Sequence, residues 1–335
     1  MTETVLVTGG AGFLGSHACK ALARAGYLPV TYDNLCRGQA HAVKWGPLER
    51  GDLLDADALA AVFARRRPAA VIHFAALAYV AESVADPAAY YRNNVVGTLT
   101  LLDAMRAAGV GELVMSSSCA TYGAAGEGPV TEETPQRPVS PYGASKLMAE
   151  RLLADYGAAY GLKSIALRFF NAAGADPDGE VGEEHDPEPH LIPLALDAAA
   201  GVRPDIVING DDYDTPDGTC VRDYVHVSDL VDAHVTALKA LRAGAARPAY
   251  NLGGGVGVSV LEMVKAVERV VGRPVPTRVG PRRPGDPPTA LADSSLAARD
   301  LDWRPARSGL EEMIRDAWAW RKRYSAAKAS GAPAV

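Results

Sequence analysis

The chain has 335 residues, 48% hydrophobic and 22% charged, with a formal net charge of −6. That composition supports a large core in one or two lobes, and its acidic balance argues against a broad nucleic-acid surface while leaving room for a local cationic pocket. Four scattered cysteines (Cys19, Cys36, Cys119, Cys220) form no Cys-x-x-Cys pair, no basic leader precedes Val5, and no apolar run reaches about 20 residues, so a cytoplasmic protein with reduced thiols and no membrane span is expected.

Thr4-Val-Leu-Val-Thr8 reads as a buried strand that stops at Gly9-Gly-Ala-Gly-Phe-Leu-Gly15 before a helical pattern to Ala25. A glycine run alone is commonly a turn. Between a strand and a helix, however, Gly9, Gly12 and Gly15 let the backbone approach a pyrophosphate and aim helix-start amides at it. The second strand, from Leu28, ends at Asp33, eighteen positions beyond Gly15, where a carboxylate accepts ribose hydroxyls and repels a 2′-phosphate. That favours NAD over NADP, with Arg37 nearby as the counter-indication. Asp52, after the Leu48 strand, suits the adenine amine or a cap for the helix from Ala56.

Ala70-Val-Ile-His-Phe-Ala-Ala76 is a buried strand whose small end, Ala75-Ala76, lets a cofactor pass close. His73, inside the strand, reads as a core histidine. A long helical stretch then runs to about Ala108, and its Asn93 either meets the cofactor or caps a loop. Glu112 to Ser118 is a strand ending in Ser116-Ser-Ser118, at the strand end where open parallel sheets hold ligands. After a Gly/Pro-rich loop, a helix from Pro141 to about Tyr160 carries Tyr142 and Lys146 at i and i+4, on one face. A cation beside a phenol favours the phenolate, which fits the pair for base catalysis next to an oxidised nicotinamide.

Ser164 to Phe170 supplies another strand, and the segment 176–189, rich in acids and prolines, breaks the pattern. His185 and His190 lie among acids without a helical ligand spacing, so no metal is expected. Arg222 and Arg283 sit in short restricted segments and offer planar forks for a diphosphate; as isolated residues they would read as surface arginines. Val258 to Val271, Leu296 to Leu301 and Leu310 to Arg323 read as helices of a smaller lobe, with residues 325–335 as a frayed tail. The whole is an α/β chain: a Rossmann-type doubly wound parallel sheet over 1–172, completed by later segments, and a substrate lobe over 173–324.

Thr8-Gly-Gly-Ala-Gly-Phe-Leu-Gly15, Asp33-Asn-Leu, His73-Phe-Ala-Ala, Ser116-Ser-Ser, Tyr142-Gly-Ala-Ser-Lys146, Arg168-Phe-Phe-Asn171, Val221-Arg-Asp-Tyr-Val-His-Val and Arg282-Arg-Pro-Gly-Asp, in that order, resemble the extended short-chain dehydrogenase/reductases. Among these the chain is most similar to the UDP-glucose 4-epimerases, from about Thr4 to Tyr324. The resemblance implies reversible C4 epimerisation of a UDP-hexose through a 4-keto sugar with tightly bound NAD, in a homodimer paired through the helices around 88–108 and 142–160. By the same resemblance Tyr142 is the base and later the acid, Ser118 binds O4, and Lys146 tunes the phenol and holds the nicotinamide ribose. Phe13, Leu14, Asn34, Leu53, Phe74 and Phe170 would join the cofactor residues above. Asn171, His190, Leu191, Asn209, Arg222, Tyr224, Arg283, Asp286 and Ala290 would face the UDP-sugar.

Three positions depart from the family pattern: Asn209 for an aromatic residue, Ala78 for a lysine, and Ala290 for a bulkier side chain. The last suggests a pocket open to N-acetylhexosamine or pentose sugars, as in UDP-N-acetylglucosamine or UDP-xylose/UDP-arabinose 4-epimerases. A 4,6-dehydratase would carry Asp-Glu where Cys119-Ala120 follow Ser118. A non-catalytic NAD(P)-sensing protein would have no need of Ser118, Tyr142 and Lys146 together.

Overall fold

The structure, a computed structural model, describes residues 2–124, 126, 128–244, 247–283 and 286–330. Its first half alternates strands and helices: β1 (Thr4–Thr8), α1 (Phe13–Arg24), β2 (Leu28–Asp33), β3 (Leu48–Arg50), α2 (Ala56–Arg66), β4 (Ala70–His73), α3 (Val80–Ala85), α4 (Pro87–Tyr90), α5 (Gly97–Ala107), β5 (Glu112–Ser118), α6 (Pro141–Tyr160) and β6 (Lys163–Phe169). Then follow β7 (Asn171–Ala173), α7 (Leu191–Ala199), β8 (Ile206–Asn209), β9 (Val221–His226), α8 (Val227–Ala243), β10 (Ala249–Leu252), β11 (Gly257–Ser259), α9 (Val260–Val271), β12 (Thr277–Gly280), β13 (Thr289–Ala290), α10 (Ser295–Asp300) and α11 (Leu310–Ser330). Seven strands pair in parallel in the order β3-β2-β1-β4-β5-β6-β10.

Side-chain alternation along each strand explains why helices cover both faces. Val5, Val7, Ile72, Val114 and Ile165 point to one side, against Cys19 and Leu22 of α1 and Leu230, Leu238 and Leu241 of α8. Leu6, Val30, Val71, Leu113 and Met115 point to the other, against Leu59 and Phe63 of α2, Leu101 and Met105 of α5, and Leu153 of α6. The strand order reverses at β1, so the connections after β1 and β4 diverge and open a crevice at the carboxyl ends of the strands. The smaller lobe has its own core, with Ile192 and Leu196 of α7, Met263 and Val267 of α9, and Met313 and Ile314 of α11. One residue, Phe170, separates β6 from β7, which pairs with β9, setting Asn171 beside Tyr224 and fixing the smaller lobe to the mouth of the crevice.

Four elements differ from the expectation. The long helical stretch before Ala108 is divided: Asp86 accepts the Ala89 amide at 3.1 Å and Pro87 starts a new turn, so a fresh helix begins there. A π-helical turn, Tyr91–Val96, then precedes α5. Leu296 to Leu301 packs not in the smaller lobe but on the main sheet, where Ala297 and Leu301 join Tyr250 and Leu252. The chain also returns earlier than expected, since α8 lies against α1. At the far end α11 continues to Ser330, and residues 331–335 lie outside the described residues.

Candidate active site

A cavity of about 790 Å³ occupies the crevice. Its floor is the turn after β1. Gly9 has φ +71°, and a Cβ there would stand 2.6 Å from the Ala75 amide nitrogen. At Gly15 a Cβ would meet the Gly9 carbonyl oxygen at 2.0 Å, so helix and turn close on each other only without side chains. Gly12, Phe13 and Leu14 line the cavity at the start of α1, whose first amides lack intrahelical partners. Asp33 takes the Ala11 amide on Oδ2 (3.0 Å) and the Leu35 amide on Oδ1 (2.8 Å), which fixes its carboxylate at the end of β2 with lone pairs left for vicinal hydroxyls. A bare helix start and a fixed acid are what a dinucleotide needs, and the cradle fits NAD. Arg37 is drawn away from any 2′-phosphate role: it pairs with Glu82 at 2.7 Å, donates to the Asp186 carbonyl, and lies over the Tyr79 ring.

Farther along the wall stand Ser118, Tyr142 and Lys146. Ser140 caps α6 by accepting the Gly143 amide at 3.1 Å, so the helix starts where the phenol and the amine, one turn apart, both enter the cavity. Lys146 Nζ donates to the Ser116 carbonyl at 2.8 Å, anchoring the ammonium beneath β5. Burial pushes Tyr142 up to about 12, against the opposing hydrogen bond with Ser118. Burial likewise draws Lys146 down to about 8, with Glu150 pulling it back up. Glu150 is itself held by Arg168 at 2.6 Å, and Arg168 donates to the Tyr122 hydroxyl at 2.8 Å. Sequence spacing did not disclose this buried ion pair below the lysine.

The remaining wall comes from the smaller lobe. Arg222 donates to the carbonyls of Val221 and Pro287, both at 2.9 Å, and lies 3.6 Å from Asp286. In the amide orientation that satisfies both side chains, Asn209 Oδ1 accepts from Nη2 and Nε of Arg283 at 3.2 Å each. The residue standing where an aromatic was expected therefore orients a guanidinium. Asn171 donates to the Asp223 carbonyl at 2.9 Å.

Nearly all the expected residues meet in this one cavity: Gly9, Gly12, Phe13, Leu14, Gly15, Asp33, Asn34, Leu53, Phe74, Ala75, Ala76, Asn93, Ser116, Ser118, Tyr142, Lys146, Phe170, Asn171, His190, Leu191, Asn209, Arg222, Tyr224, Arg283 and Asp286 line it. Asp52 and Ala290 do not. Asp52 is taken up by Asn34 (2.8 Å) and the Leu54 amide (2.9 Å). Ala290 pairs with Arg222 in β13 and packs against the cluster of Tyr122, Val130, Phe170 and Ala292, so the idea that it opens the sugar pocket finds no support there. His73 is a core residue, as its position in the strand suggested: its two ring nitrogens lie 2.7 Å from Thr8 Oγ1 and 3.1 Å from Thr98 Oγ1, and burial lowers it to about 3. Sequence reasoning also missed Asn94. Its side chain bridges both backbone groups of Leu77 and the Ser145 hydroxyl, tying the loop after β4 to α6; only a polar residue on an otherwise packing helix hinted at it.

The NAD dependent epimerase/dehydratase family model matches residues 5–253. A UDP-glucose 4-epimerase of Rhizobium meliloti (strain 1021) is 51% identical over 321 residues, covering 96% of this chain and 98% of that protein. The crystal structure of UDP-glucose 4-epimerase from Brucella ovis in complex with NAD is 53% identical, with a TM-score of 0.92 and coverage of 95% and 98%. A UDP-glucose 4-epimerase from Stenotrophomonas maltophila, with bound NAD and formylated UDP-arabinopyranose, is 42% identical, with a TM-score of 0.93 and coverage of 97% and 99%.

Proposed function

The chain belongs to the NAD dependent epimerase/dehydratase family, and we propose that it interconverts UDP-glucose and UDP-galactose at C4, through a 4-keto sugar, with NAD as a bound cofactor. One observation carries this reading: a single cavity is lined by the glycine turn and Asp33, by Ser118, Tyr142 and Lys146, and by Arg222 and Arg283. Bound NAD supplies a hydride acceptor and donor. Tyr142 takes the proton of the 4-hydroxyl and returns it at the end of the cycle, so one side chain serves as base and acid. Ser118 holds the same oxygen, and Lys146 is positioned to favour the phenolate. Arg222 and Arg283 grip the diphosphate, which leaves the sugar ring free to present either face. Beside Ser118 the Cys119 thiol is pushed up to about 11 by burial, so it stays protonated and offers no base for an elimination.

The test is to incubate the purified protein, without added NAD, with UDP-glucose, UDP-N-acetylglucosamine and UDP-xylose separately and to follow the C4 epimers by NMR. UDP-galactose from the first is expected; no epimer from any of the three would overturn the reading.

The proposal extends to a homodimer in the cytoplasm. Exposed apolar side chains on the helical layer that includes α5 and α6 (Val96, Leu99, Met148 and Tyr160) offer a surface for a second copy, and the four free thiols suit a reducing compartment. Among the described residues, no helix is long and apolar enough to cross a membrane. Light scattering on wild type and Leu99→Glu should show a dimer and a weakened one; a monomeric wild type would refute the assembly.

A further inference from the structure

We infer that Glu183, His185, Glu188 and His190 form a site for one divalent metal ion of the zinc type, at the cavity wall where the segment 183–190 leads into α7. The four donor atoms lie within 4.8 Å of one another. Both imidazoles turn Nδ1 to the same two carboxylates. From Glu183 Oε1 the distances are 3.1 Å to His185 and 2.6 Å to His190; Glu188 Oε1 is 2.9 Å from His190, and its Oε2 is 3.7 Å from His185. In a tetrahedron with bonds of about 2.0–2.1 Å, donors stand roughly 3.3 Å apart, within the spread seen here. Two neutral imidazoles and two carboxylates also cancel the charge of a divalent ion.

A second observation points the same way. Glu188, whose side chain is 8% exposed, has an Oε2 that is buried without a hydrogen-bond partner. A buried carboxylate oxygen left unsatisfied is costly, and a metal ion would satisfy it. Without an ion, each imidazole can only turn an Nδ1–H to these carboxylates, with the ring centroids 5.1 Å apart, and the Glu188 oxygen stays without a hydrogen-bond donor. The other cluster of acids, Asp176, Asp178 and Glu180, makes a useful contrast. There Lys20 Nζ already sits 2.5–2.7 Å from all three, so the cation is built in.

Four side-chain donors and no reserved open position describe a structural site. Phe13 and Tyr79 meet the His185 ring edge-on, at 6.4 and 5.8 Å, so an ion here would fasten the entry to α7 against the start of α1. Sequence spacing concealed the site because its ligands interleave on an extended segment and follow no helical template.

Untagged protein expressed with zinc and passed through a desalting column should carry about one zinc per chain by elemental analysis. Chelation should lower Tm, and zinc chloride, but not magnesium chloride, should restore it saturably. Glu188→Gln and His190→Ala should each weaken zinc binding about 10–100-fold. Should a variant fail to fold, wild type decides: an unchanged Tm after chelation with no saturable zinc uptake would overturn the inference, as would full retention of zinc by both variants.

Discussion

Tyr142 and Lys146 could be paired from the sequence because they lie one turn apart, but their protonation could not. A lysine beside a phenol was expected to favour the phenolate; in the structure burial dominates both, holding Tyr142 up at about 12 and Lys146 down at about 8. Bringing the phenol from there to neutrality needs about 7 kcal/mol of differential stabilisation, more than one desolvated lysine supplies. The remaining positive charge must come with the oxidised cofactor. A titration of phenolate absorbance is therefore expected to show no Tyr142 ionisation below pH ~10 in NAD-free protein, and a step several pH units lower in the NAD-loaded form that vanishes in Tyr142→Phe. Identical titrations with and without NAD would refute cofactor activation. The same substitution should reduce kcat about 10²–10⁴-fold while UDP affinity stays within a few fold, because the contacts proposed for the diphosphate, Arg222 and Arg283, are elsewhere. Partners such as Asn209 with Arg283, or Glu150 with Arg168, stayed hidden for a simple reason: their pairing is set by the fold and not by spacing along one helix.

At the scale of elements, the strand, glycine turn and helix at the N-terminus were legible because each glycine has a separate steric reason, and two substitutions should separate those reasons. Gly12 has φ −84° and ψ −179°, which any residue adopts, and a Cβ there would approach the Gly9 carbonyl only to 3.4 Å. Gly12→Ala should therefore leave the Tm of NAD-free protein nearly unchanged while greatly reducing copurified NAD, because the new methyl faces the cavity. Gly15→Ala should lower both, with a stability loss of about 1–3 kcal/mol from forced repacking of α1 against the turn. Melting curves and NAD content measured on both variants check this; an NAD-replete Gly12→Ala would show that the backbone there does not approach the cofactor. α8 was missed although its sequence is amphipathic and capped by His226, which accepts the Ser228 amide at 3.0 Å. A motif quoted for its arginine drew attention to β9 and away from the helix that follows.

For the whole molecule, sequence order misleads about which parts share a core. β10 comes from far downstream yet completes the main sheet, and α10 packs on it, so unfolding should couple the two lobes. That shared interior contains His17, His73 and His234, each fully buried and lowered mainly by desolvation to about 4, 3 and 4. In the unfolded chain they would titrate near 6.5, so below that pH the unfolded state binds more protons and stability falls as pH falls, until the folded values are reached. At pH 5 each histidine costs about 2 kcal/mol and the three together about 6, comparable with the whole stability of an ordinary domain. Buried Asp33 and Asp223, raised by desolvation, act in the opposite sense but only as pH nears the carboxylate range. Chemical denaturation at pH 7.5, 6 and 5 should thus show a loss of stability between pH 6.5 and 5, partly offset by His185 and His190, which despite desolvation are raised by Glu183 and Glu188 to about 9 and 10 and so favour the folded chain more as pH falls. His234→Phe tests the cause directly: the His234 ring lies tilted against Phe74 at 4.6 Å between centroids, its Nε2 has no hydrogen-bond partner, and its Nδ1 lies 2.7 Å from the Leu230 carbonyl, so an aromatic replacement keeps the packing, removes the titration and loses one hydrogen bond whose cost is the same at every pH compared. The variant should lose about 2 kcal/mol less than wild type between pH 7.5 and 5, and an unchanged slope would show that acid lability arises outside this shared core.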